Sequence, residues 1–116
     1  MSSVGAHNAA KGEFVYAASK GALLSAMYSL VKDISNKGHR INCITPGWVK
    51  TEMTQNLLMK FTKEENLEEG FAMKRQILPA GEPKDISGIA LFLLSDRASW
   101  ITGAEIEGGG ICLAEI

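Results

Sequence analysis

Apolar residues recur at three- and four-residue steps through Leu23, Leu24, Met27, Leu30, Val31 and Ile34, and this spacing predicts a helix over 16–35. Asn36 and Gly38 come next, with helix-ending chemistry. The next run, RINCIT at 40–45, is too short for a helix, and Ile41, Cys43 and Ile44 predict a strand buried on both faces. The segment PGWVKT breaks that strand. Residues 52–78 have helical propensity and a capping-box pattern at Thr62 and Glu65, yet Leu57, Leu58, Met59, Phe61, Phe71 and Met73 form no single stripe. Two short helices covering something are expected there, with KEENLEE as a solvated face. Pro83 opens a further helix with a broad apolar face of Ile86, Ile89, Ala90, Leu93 and Leu94. WITGAEIEGGG then reads as a turn, a short strand and a glycine-rich end, and residues 1–15 read as a loop.

The order helix, strand, helices, helix, strand predicts an α/β fold with a parallel sheet. Two strands are too few to cover the faces of these helices, so the chain is expected to form part of a larger domain. Composition adds exclusions. At 116 residues there is room for one small domain, and a net charge of −1 offers no footing for nucleic acid or an anionic membrane. No apolar run approaches the roughly 18 residues of a membrane span. MSSVGAHNAAK has no apolar signal core, so a cytoplasmic protein is expected. Cys43 and Cys112 have no metal or redox spacing and are not expected to pair. His7 and His39 stand alone, so no metal site is expected.

Candidate chemistry lies in YAASKGALLSAMYSLVK, where Tyr16 precedes Lys20 by four residues and Tyr28 precedes Lys32 by four. At about 100° per residue, Lys20 falls about 40° from Tyr16, within an apolar stripe running from about −40° to 80°. Tyr28 and Lys32 fall at about 120° and 160°, on its margin or on the polar face. A lysine on a buried face costs free energy unless its charge is used, which favours the first pair. A tyrosine titrates near 10, so work as a general base requires a lowered pKa, and a cation about 5 Å away supplies roughly 3 kcal/mol towards it. Ser2 or Ser3 could hold a substrate oxygen against the tyrosine; the helix geometry does not choose between them.

The run SSVGAHNAAKGEFVYAASKGAL resembles the active-site segment of the short-chain dehydrogenases/reductases, which place a serine thirteen residues before Tyr-x-x-x-Lys. Counting back from Tyr16 gives Ser3, whereas counting back from Tyr28 gives Val15. NCITPGWVKT resembles the family's Asn-x-Ile-x-Pro-Gly-x-Val-x-Thr segment, and GEPKDISGIALFLLSDRASWITGAEI resembles its last helix and the turn into its final strand. The resemblance implies the C-terminal half of a doubly wound Rossmann-type parallel sheet. It implies that Tyr16 exchanges a proton with the substrate oxygen. Lys20 would lower the tyrosine's pKa and hold the nicotinamide ribose, and Ser3 would hydrogen-bond the substrate oxygen. Pro46 and Gly47 would turn the chain where ligands sit, so that the Val49 backbone and the Thr51 hydroxyl meet the nicotinamide carboxamide. Taken alone, PGWVKT is equally a strand-ending turn. Residues 52–78 would be a substrate lid, or else surface helices packed on the core.

The family's Thr-Gly-x-x-x-Gly-x-Gly turn and its Asn-Asn-Ala-Gly segment are absent from these 116 residues, and IEGGGI opens no helix that could replace the first. The chain is therefore expected to lack most of the cofactor domain, including the residue that selects NAD or NADP, and either cofactor is compatible. The implied reaction is hydride transfer between the nicotinamide and a small carbonyl or secondary-alcohol substrate, in a dimer or tetramer built through the Tyr16 helix and the last helix. Two other readings stand beside it: a nucleotide-sensing or interaction module without catalysis, and an inert partial chain.

Overall fold

The computed structural model describes residues 1–9, 11–56 and 76–110. Its first helix, α1 (Phe14–Ile34), starts after Gly12, whose φ of 90° turns the loop into the helix. It runs into a 3-10 turn, Ser35–Lys37, and stops at Gly38. With φ 76°, Gly38 takes the left-handed conformation that ends helices, as its place in SNKGHR implied. Strand β1 (Cys43–Pro46) comes next, then helix α2 (Pro83–Leu94) with Pro83 at its first turn, and strand β2 (Glu105–Gly108). The Asp85 carboxylate accepts from the Glu82 amide at 2.7 Å and fixes the entry to α2.

β1 and β2 pair in parallel, with Cys43 opposite Glu105 and Pro46 opposite Gly108. Side chains alternate across a strand, so β1 serves two layers at once. Cys43 packs with Leu24 and Met27 of α1. Ile44, on the other face, packs with Leu93 and Ala98, joined by Ile86, Ile89, Ala90, Ile101 and Ile106. Cys43, Ile44 and Thr45 are all buried, as expected of a strand covered on both sides. Cys43 is a free thiol; Cys112 lies outside the described residues.

Polar contacts lock this arrangement at the start of the strands. The Arg40 guanidinium donates to Leu93 O at 2.9 Å, one of the terminal carbonyls of α2, and to Ile101 O at 3.1 Å. Asn42 donates to the same Ile101 O at 2.9 Å and accepts from the Ala104 amide at 3.0 Å. Cys43 N then begins the ladder on Ala104 O at 2.9 Å.

The extent of the buried helix faces differs from expectation. Leu24 and Met27 are buried in α1, but Leu23 and Leu30 are 44% and 42% exposed, and Tyr16 is open at 42%. The wheel gave the direction of the buried stripe but not its width, because two strands cover only part of a helix of 21 residues. Leu94 is 82% exposed because α2 ends there and the chain turns back towards β2. By length and composition alone the segment Phe14–Lys37 also passes as apolar enough to cross a membrane, although it holds no continuous apolar run. The Thr62–Glu65 capping box and most of the supposed lid lie outside the described residues.

Replacing Arg40 with Met removes both charged hydrogen bonds at the α2–β2 corner and takes the donor from Leu93 O, while Asn42 still holds Ile101 O. The unfolding free energy, measured by urea denaturation, is expected to fall by about 2–3 kcal/mol.

Candidate active site

The adjacent serines have separate positions. Ser2 is buried, donates its amide to Ile44 O at 2.8 Å, and sends its hydroxyl to Lys20 O at 2.9 Å. It ties the loop to β1 and to α1. Ser3 is half-buried and caps the one-turn 3-10 helix Val4–Ala6, its Oγ accepting from the Gly5 amide at 3.1 Å. That bond uses a lone pair and leaves the hydroxyl hydrogen for another acceptor.

Gly5 brings Ser3 and Tyr16 together. An ideal Cβ built on Gly5 would lie 2.9 Å from Tyr16 Cε1 and 3.5 Å from Ser3 Oγ, so the loop touches the tyrosine ring through a residue with no side chain. Lys20, half-buried and one turn along α1, places Nζ 5.7 Å from the ring centroid. Ser3, Tyr16 and Lys20 thus share one corner between the loop and α1. Tyr28 and Lys32 lie further along α1 and stand apart from that corner, with Tyr28 exposed.

PGWVKT leaves the C-terminal end of β1 in a clasp made by Gln76, a buried residue that no motif or period singles out. The Trp48 amide donates to Gln76 Oε1 at 2.6 Å, and Gln76 Nε2 donates to Leu78 O and Pro79 O, each at 3.0 Å. Gly47 donates to Gly108 O at 2.8 Å, extending the ladder past Pro46. A Cβ on Gly47 would collide with Gln76 Oε1 and lie 2.8 Å from Gly108 O, so glycine is required here by protein packing. Val49 bridges Gly81 in parallel through Trp48 O and Lys50 N, which turns Val49's own amide to the opposite side. Thr54 fixes the next stretch of chain: its hydroxyl donates to Val49 O at 2.6 Å, and it contacts the Thr51 hydroxyl at 3.1 Å. Pro46 and Gly47 therefore act on the backbone, while Val49 and Thr51 occupy a tightly hydrogen-bonded loop.

His7 does not stand alone. Its Nε2 lies 2.6 Å from Glu105 Oε1, across 98 residues of sequence. The same oxygen accepts from the hydroxyl of fully buried Thr45 at 2.6 Å. Burial, the largest single influence, pushes the Glu105 carboxyl up. The bonds from Thr45 and His7, with the electrostatic pull of His7 and a smaller influence of Tyr28, outweigh it together and leave the group below its ordinary value of 4.5.

With this geometry in place, comparison with known proteins decides the family. A family model described as enoyl-(acyl carrier protein) reductase matches residues 1–110. The Homo sapiens protein named dehydrogenase/reductase SDR family member 4 is 37% identical over 110 residues, covering 95% of this chain and 38% of its own length. The chain belongs to the short-chain dehydrogenase/reductase family.

Solved structures superpose closely on the chain. A blue fluorescent protein from a metagenomic library, in complex with NADPH, aligns with a TM-score of 0.80 and 31% identity, over 97% of this chain and 43% of that one. A 4-hydroxyisoleucine dehydrogenase complexed with NADH and succinate aligns with a TM-score of 0.78 and 30% identity, over 97% and 44%. This chain therefore supplies well under half the length of the short-chain dehydrogenases/reductases it matches. Its two parallel strands and flanking helices are the part of the Rossmann-type fold that the motifs implied.

These contacts make two outcomes measurable. Gly47→Ala is expected to destabilise the protein by about 1–3 kcal/mol. Gln76→Ala alone is expected to destabilise it as well, because the Trp48 amide and the Leu78 and Pro79 carbonyls lose their partner; thermal unfolding of both variants measures it. For Glu105, a carboxyl whose pKa is lower folded than unfolded contributes stability that is fully present above the unfolded value and lost as pH falls through the folded one. Stability is therefore expected to decline below the ordinary value of 4.5, and Glu105→Gln to flatten that decline in urea titrations across acid pH.

Proposed function

We propose that the full-length protein carrying this chain is an oxidoreductase that transfers a hydride between NAD(H) or NADP(H) and a small carbonyl or secondary-alcohol substrate. One observation carries the reading. The Gly5 contact sets the Ser3 hydroxyl beside the Tyr16 ring, with the Lys20 cation one helical turn away. A phenol, a hydroxyl and an ammonium so grouped suit proton transfer at an oxygen.

The Ser3 hydroxyl donates to the substrate oxygen, a role open to it because the Gly5 amide already occupies one of its lone pairs. In the reducing direction Tyr16 gives its hydroxyl proton to that oxygen as it becomes an alkoxide; in the oxidising direction it takes the proton back. Lys20 has three donors and a charge, which suit the vicinal hydroxyls of a ribose. The donor set fits a nicotinamide cofactor. Val49's amide, turned away from Gly81, and the Thr51 hydroxyl would hold the carboxamide, with Thr54 and Gln76 keeping that loop in shape. When bound, the cofactor supplies or accepts the hydride. NAD and NADP both remain open, in line with related structures that hold one or the other.

The apolar residues left exposed on α1 (Phe14, Val15, Leu23) and at the end of α2 (Leu91, Leu94) support a dimer or tetramer assembled through these two helices. A buried free thiol at Cys43 suits a reducing, cytoplasmic setting.

The test is Tyr16→Phe in the full-length enzyme. The turnover number is expected to fall about 10²- to 10⁴-fold, with the circular-dichroism spectrum unchanged. Wild-type turnover in this variant would contradict the assignment of the general acid/base.

A further inference from the structure

His7, Glu105 and Thr45 lie outside the catalytic corner, yet they end on the turn that carries Ser3. Val4–Ala6 is a single 3-10 turn with Ser3 as its N-cap and His7 as its C-cap. Inside it, Ala6 N donates to Ser3 O at 2.9 Å and His7 N donates to Val4 O at 3.0 Å, so the two caps move as one body. The N-terminal side is anchored by Ser2 on Ile44 O of β1. The C-terminal side is anchored by His7 on Glu105 of β2, the register partner of Cys43 next door to Ile44. Both anchors therefore end on the same pair of strands.

Glu105 is itself held. Thr45 Oγ1, fully buried, donates to the oxygen that His7 uses, which fixes that acceptor relative to the sheet. An ionised carboxylate carries no hydrogen, so His7 Nε2 is the donor.

We propose that His7 and Glu105 are positioning residues: their bond sets the tilt of the Val4–Ala6 turn, and through it the direction of the Ser3 hydroxyl. The pair touches neither substrate nor cofactor. It acts on the chemical step through Ser3, because a hydroxyl misplaced by about 1 Å costs up to about 100-fold in rate. The inference rests on the functional reading above.

The experiment is a double-mutant cycle in the full-length enzyme, reading kcat and the cofactor KM. His7→Ala is expected to lower kcat about 10- to 100-fold, leaving the cofactor KM within about twofold. In the Ser3→Ala background, the same change is expected to have no further effect on single-turnover rate. His7→Gln, whose amide can still donate to Glu105, is expected to recover most of kcat, and it serves as the folded variant if His7→Ala does not fold. Additive losses from Ser3→Ala and His7→Ala would overturn the proposal, as would an unchanged kcat in His7→Ala or a His7→Gln variant no better than His7→Ala. If Tyr16→Phe retains activity, the functional reading fails first. If Tyr16→Phe is inactive and the cycle is additive, only the positioning role fails.

Discussion

The parallel pairing of β1 with β2 fixes everything else in this chain. Parallel neighbours cannot be joined by a tight turn, so the chain leaves β1 at Pro46 and returns only at Glu105. That pairing brings residues distant in sequence together at both ends of the strands. Gly108 meets Gly47 past the end of β1, Glu105 meets Thr45 and His7 beneath the loop, and Arg40 closes the far corner on Leu93 and Ile101. Each of these contacts holds only while the register pairs Cys43 with Glu105. A one-residue slip would turn Glu105 to the α2 face and place Ile106 under the loop.

The site's place is set by where the strands end. α1 lies over the Cys43 face and presents Tyr16 and Lys20 at its N-terminal turns, while Ser2 pulls the preceding loop against both β1 and α1. On the other side of the strand end, Gln76 draws the Trp48 loop, the Leu78–Pro79 turn and the glycines after β2 into a single clasp. The two halves of the site thus have independent supports. One is built on side chains that reach β2 through Glu105, and the other on backbone groups gathered by a single amide.

Local chemistry was legible in the sequence, and long-range chemistry was not. Gly38 and Pro83 marked helix ends because left-handed φ and a fixed φ are properties of single residues. The count of thirteen to Ser3 came from family resemblance, and the structure adds a physical difference between the serines: Ser2 is consumed by backbone anchoring and Ser3 keeps a hydrogen to donate. Gln76 reaches Trp48 across 28 residues and His7 reaches Glu105 across 98, with no period or motif to announce either. The helical wheel succeeded for Leu24 and Met27 and failed for Leu23, Leu30 and Tyr16, since a periodic pattern carries no information on how wide a neighbouring layer is.

The proposed function makes the corner of Ser3, Tyr16 and Lys20 and the loop of Val49 and Thr51 two sides of one nicotinamide site. Crystals of the full-length enzyme grown with NADH and with NADPH test it most directly. With at least one of them, the ribose hydroxyls are expected to lie on Lys20 and the carboxamide on the loop of Val49 and Thr51. A cofactor bound with its ribose away from Lys20, or no binding of either dinucleotide, would contradict it.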